Sequence, residues 1–92
     1  QLPTLGRIVL FAFLDNEKRI VERPADVVAI FNPKGINPLI NLHVKLDGFN
    51  DKGLVGVTEA DIARMAFWAT SIAPADDHAI AQAGRWRWPP RE

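Results

Sequence analysis

The residues best suited to chemistry in this 92-residue chain lie in one short stretch, Arg85-Trp86-Arg87-Trp88-Pro89-Pro90-Arg91. Side chains alternate along an extended strand, so Trp86 and Trp88 share one face and Arg85 and Arg87 the other. Such a set suits a ligand platform. Indole rings stack on a planar base while guanidinium groups hold phosphate or carboxylate oxygens. Trp68 is a further stacking candidate and His43 a further phosphate contact. The same residues have a structural use, with both indoles capping the core or filling a groove between subunits and the arginines paired to acids. Both uses stand open in the sequence.

The remaining reactive inventory is thin. His43 and His78 are the only histidines, and their mid-strand and mid-loop positions give no ligand spacing, so no metal is expected. Asp47-Gly48-Phe49-Asn50-Asp51 has a superficial likeness to a calcium loop, but its glycine is misplaced and Thr58 stands where a bidentate glutamate belongs. A turn in which Asp and Asn side chains accept from backbone N–H groups is the better reading. Thr70-Ser71 lacks a nucleophile elbow. Asp76-Asp77 reads as a pair of solvated charges at a helix start. No acid, base and nucleophile set can be assembled, so the chain is expected to be a non-enzymatic binding protein without a cofactor.

Composition narrows the partners. Eleven basic and 11 acidic side chains give a formal net charge of zero, which supplies no field for strong nucleic-acid or anionic-membrane binding. With no cysteine there is no disulfide framework and no thiolate site. No apolar run reaches the 18 or so residues of a membrane helix, and Gln1-Leu2-Pro3 is not a charged leader, so a soluble, unexported protein is expected. The length fits a single domain over residues 1–92 with a modest core.

Seven prolines and six glycines cut the chain into short segments, which points to an all-β fold. Arg7 to Leu14 reads as a first strand with two apolar faces. Lys18 to Glu22 could continue its hairpin, and Arg23-Pro24 imposes an extended approach to a second strand, Asp26 to Asn32. Turn chemistry at Asn32-Pro33-Lys34-Gly35 and Asn37-Pro38 precedes the clearest strand, Ile40 to Leu46, where Ile40, Leu42, Val44 and Leu46 alternate with Asn41, His43 and Lys45. Thr58 with Asp61 predicts a capped short helix to Arg64, followed by a strand from Ala66 to Ile72. Pro74 to Ala83 predicts a second short helical excursion ended by Gly84, and Arg85 to Trp88 is the last strand. The sum is a small SH3-like barrel or a curled antiparallel sheet of about five strands.

The apolar content, 48% of residues, exceeds what one small interior needs. The first two strands are apolar on both faces, and Phe49, Trp68, Trp86 and Trp88 add large rings. Either a second copy of the chain covers the surplus, giving a homo-oligomer, or the segments Gly53 to Arg64 and Pro74 to Ala83 fold over the outer face.

Four blocks together resemble a group of small tailed-phage proteins: G-R-I-V-L (Gly6 to Leu10), I-N-L-H-V-K-L-D-G-F-N-D (Ile40 to Asp51), F-W-A-T-S-I (Phe67 to Ile72) and G-R-W-R-W-P-P-R (Gly84 to Arg91). That group runs an opening strand, a V-N-L-x-V-x-L-D-G-x-N-D core, a W-x-T-S-V strand and a G-x-W-x-W-P close. The chain departs from it in Lys52 to Arg64 and in the Ala-rich stretch before Gly84. The resemblance implies phage origin and a compact β fold. It carries no residue-level activity. Two roles suit such a protein: sequestering a small nucleotide signal of bacterial immunity in the host cytoplasm, through Trp86, Trp88, Trp68, Arg85, Arg87 or His43, or binding a capsid or tail surface as a virion accessory subunit.

Overall fold

The apolar segment Ile8–Leu14 forms β1, which lies inside a five-stranded antiparallel sheet with β2 (Ile20–Phe31), β3 (Leu39–Lys45), β4 (Ala66–Ile72) and β5 (Trp86–Arg87). The computed structural model describes residues 3–31 and 39–90. The strand order is β4-β3-β2-β1-β5, so four strands run as a meander and the last crosses to the far edge. The sheet curls without closing, which is the open form of the all-β fold expected. Asn32-Pro33-Lys34-Gly35 and Asn37-Pro38, read as turns, lie outside the described residues.

The two segments read around Arg23-Pro24 are one continuous strand. Its proline is tolerated for a reason visible in the register. Val27 N–H donates to the Arg7 carbonyl, so alternate residues Val27, Ala25, Arg23 and Val21 bond β1, and the nitrogen of Pro24 faces the other way. There it stands opposite Lys45, at the end of the β3 ladder just past the Ala25–Val44 pair, so Pro24 costs at most one terminal bond.

One face of the sheet is the core. Val9, Phe11 and Phe13 of β1 meet Ala25 and Val27 of β2, Ile40, Leu42 and Val44 of β3, Ala69 of β4 and Trp86 of β5. The connection from Leu46 to Met65 lies against this inner face: Leu46 and Leu54 are buried in the core, Val57 and Ile62 pack against it, and Val55 N–H donates to the Leu14 carbonyl. Within it, α1 (Glu59–Arg64) begins at a Thr58–Asp61 capping box and ends at Met65, whose left-handed φ of 55° turns the chain into β4. The predicted split between helix and strand is the observed one.

Pro74 to Ala83 is not helical, contrary to expectation. Its backbone donors are drawn elsewhere: Ala79 N–H to the Asp77 carboxylate, Asp76 N–H to the Gln82 amide oxygen, and Ile80 N–H to the Asp77 carbonyl. Asp76 and Asp77 are exposed, but they open turns and not a helix. The first excursion packs on the inner face and the second runs beside β5, through the Pro74–Trp86 bridge and the Arg87 bond to His78. Outer-face coverage by Gly53 to Arg64, the alternative to a homo-oligomer, is therefore not seen.

Candidate binding surface

In β5, Trp86 pairs in register with Phe11 and Arg87 with Leu10, which puts the indole on the inner face and the guanidinium on the outer one, as alternation requires. Trp86 is 2% exposed. It is a core residue, set edge-on to Trp88 at 5.3 Å and near the His78 ring at 5.1 Å. Its indole N–H is buried without a partner among the described residues. Trp88 is half-buried, with the Arg7 guanidinium 5.1 Å from its ring centre and its backbone N–H donated to His78 Nδ1.

The arginines are also engaged. Arg87 donates to both oxygens of Glu22, at 2.7 and 2.6 Å, and a third N–H goes to the His78 carbonyl. The Glu22 carboxylate raises the Arg87 pKa further above its ordinary value. Glu22 stands opposite Ala12 on β2, whereas Arg87 stands opposite Leu10 on β5, so the ion pair bridges over β1. Ala12, buried beneath it, leaves the room. Arg85 donates to the Pro74 carbonyl at 3.2 Å. The Trp and Arg ending is thus a clasp that fastens β5 to the rest of the sheet, and Trp86 is not available as a stacking surface.

Trp68 and His43 lie elsewhere. They are register partners on β4 and β3, on the outer face, with ring centres 5.1 Å apart. The row continues through Asp26 on β2 to Ile8 on β1. Trp68 is 57% exposed, and Lys45 stands beside the row, its ammonium 3.9 Å from Asp26. The six candidates therefore fall into two groups separated by the sheet: Trp86 and Trp88 inside, Trp68 and His43 outside, with Arg85 and Arg87 held at the β5 edge.

The outer face holds more than the sequence reading singled out. Phe31 and Leu39 are cross-strand partners and both are exposed, as are Ile8 and Ile20. Their signal was present in the two-faced apolar pattern of the first two strands. The result is a sheet face of half-exposed apolar side chains set with His43, Asn41, Asp26 and Lys45.

The turn reading at Asp47 is borne out. Its carboxylate accepts from the N–H groups of Phe49 and Asn50, and chiefly the Phe49 bond holds its pKa below the ordinary value. Among the described residues no group of three His or acidic side chains is placed to hold a metal ion, and no helix is long and apolar enough to cross a membrane.

No family model, curated protein or solved structure matches the chain. Its own surface chemistry is what bears on function. A sheet face with exposed Trp, Phe, Leu and Ile among a few polar groups is suited to a broad contact surface, since exposed apolar patches of this kind mark interaction sites.

Proposed function

We propose that this chain is a non-catalytic binding protein that docks through the outer face of its sheet onto another protein's surface. The observation that carries the reading is the exposure of Trp68, Phe31, Leu39 and Ile8 on one side of a sheet whose opposite side is already filled. Large rings at the centre of a desolvated contact supply most of its affinity. The resemblance to small tailed-phage proteins favours a capsid or tail as that surface. Mass spectrometry of purified particles tests this, with many copies per virion expected for the native chain and depletion expected for Phe31→Asp. Absence of the native chain from virions defeats it.

A second reading, sequestration of a small nucleotide signal, is favoured by the Trp68 and His43 pair with Lys45 two residues from His43 on the same face. A base would stack on Trp68 and a phosphate would meet Lys45 and His43. Arg87 and Trp86 take no part, since both are committed within the fold. Incubation with cyclic nucleotides or cyclic ADP-ribose isomers, followed by quantifying free ligand before and after heat denaturation, tests this role. No depletion of any of them eliminates it.

A further inference from the structure

The two edges of the sheet are treated differently. Beyond β5 the chain from Ala73 to Ala75 runs alongside it, with Ala75 N–H donated to the Trp86 carbonyl at 2.8 Å and Trp86 N–H to the Ala73 carbonyl at 3.3 Å. That edge is capped. At the other edge β4 has β3 on one side only.

The register says which β4 groups face outward. Leu46 N–H donates to the Met65 carbonyl, so Met65, Phe67 and Ala69 form the bonded pairs with β3, and the N–H and C=O groups of Ala66, Trp68 and Thr70 point away. None of these outward groups has a backbone or side-chain partner among the described residues, whereas the next donor, Ser71 N–H, is taken by Asn41 Oδ1. Natural sheets normally protect such an edge with lysine, proline or a bulge. Ala66–Ile72 is A-F-W-A-T-S-I, with no charge and no proline, and its one irregularity lies past Ala69, where Ser71 takes a φ of 53° and the register with β3 shifts.

We propose that β4 is a self-association edge, pairing antiparallel with β4 of a second copy about a two-fold axis through Trp68. The free groups are symmetric about that residue. A two-fold there sets Ala66 opposite Thr70 of the second copy and Trp68 opposite its own counterpart, and every outward N–H and C=O finds a mate. A charge at position 68 would face its own like charge under that symmetry, and β4 carries no charge at any position. The pairing also makes the two outer faces one continuous surface with the indoles side by side, adding apolar contact to the main-chain bonds. A peptide of unrelated sequence would satisfy the same bonds. The symmetry of the pattern favours a second copy.

The inference concerns an edge and is independent of the face-docking role. Sedimentation equilibrium across micromolar concentrations is expected to show mass rising from 10.2 kDa towards twice that value. Amide hydrogen exchange at Ala66, Trp68 and Thr70 of the unaltered protein is expected to slow as the dimer fills. Thr70→Pro, which removes a donor that β3 does not use, is expected to raise the dimer Kd about tenfold or more, while Phe31→Asp on the face leaves it unchanged. A strict monomer overturns the proposal. So does a dimer whose Ala66, Trp68 and Thr70 amides exchange freely, or one that Phe31→Asp dissolves and Thr70→Pro does not.

Discussion

Arg23 and Asp51 form a two-pronged ion pair on the inner face of the sheet, with Nε and Nη2 of the arginine donating to the two carboxylate oxygens at 2.9 and 2.5 Å. Asp51 is 0% exposed and also accepts from Asp47 N–H, so it ties the β3–β4 connection to β2. The hydrogen bond to Asp51 raises the Arg23 pKa, and the guanidinium stays charged throughout. Asp51→Ala leaves that charge without its partner beside an apolar core. The expected cost is about 3 kcal/mol, at the low end for a buried pair because one side of Arg23 still meets water. A lowered urea midpoint checks it, and the double variant Arg23→Met with Asp51→Leu is expected to recover most of the loss.

The clasp at β5 is testable in the same way. Arg87→Ala strands a half-buried Glu22 and is expected to cost about 2 kcal/mol. Ala12→Leu fills the space under the pair and is expected to cost about 1–3 kcal/mol by overpacking. Thermal melts of both variants are the measurement.

Indole exposure separates the tryptophans. Iodide is expected to quench the emission of Trp68 and leave that of Trp86 largely untouched, given their 57% and 2% exposures. Trp68→Phe is expected to abolish most of the quenchable signal. Persistence of that signal in Trp68→Phe contradicts the placement.

Acid sensitivity follows from three aspartates. Asp61 is held below its ordinary pKa chiefly by Thr58 N–H, Asp47 chiefly by Phe49 N–H and Asp15 chiefly by Arg19 N–H. Groups with depressed folded pKa values stabilise the fold above their unfolded pKa and lose that contribution as pH falls through the folded one. The melting temperature is therefore expected to be insensitive to these groups above about pH 5 and to fall progressively below about pH 4. Asp61→Asn is expected to flatten part of that decline.

Met65 holds a left-handed conformation at the end of α1, where glycine carries no steric penalty. Met65→Gly is expected to stabilise by about 0.5–1 kcal/mol, the relief of strain being offset in part by a freer unfolded chain. Denaturant titration gives the sign.

What could be read before the fold was known depended on range. The alternation of Ile40 to Leu46 and the Thr58–Asp61 pair are local signals, and β3 and α1 sit where they indicate. Continuity of β2 through Pro24 was hidden, because the harmlessness of that proline depends on where β3 pairing begins. Pro74 to Ala83 misled because its alanines favour a helix while the side chains of Asp77 and Gln82 capture donors a helix needs. The alternation of Trp86 and Arg87 across β5 was legible, but their engagement was not. Glu22 lies 65 residues from Arg87 in sequence, and only the strand order brings it across β1.

That strand order also has a kinetic side. From β1 to β4 each strand pairs with its neighbour in sequence, whereas β5 must return from the far end of the chain to reach β1. Its pairing with β1 spans the greatest sequence separation of any strand pair in the sheet, and it seats Trp86 in the core. Refolding should accordingly proceed in two stages of order: a meander formed early, with interactions of Leu42 and Val44 already present at the barrier, and a late closure reported by burial of the Trp86 indole. The ending that carries two of the three tryptophans thereby serves as the latch of the fold.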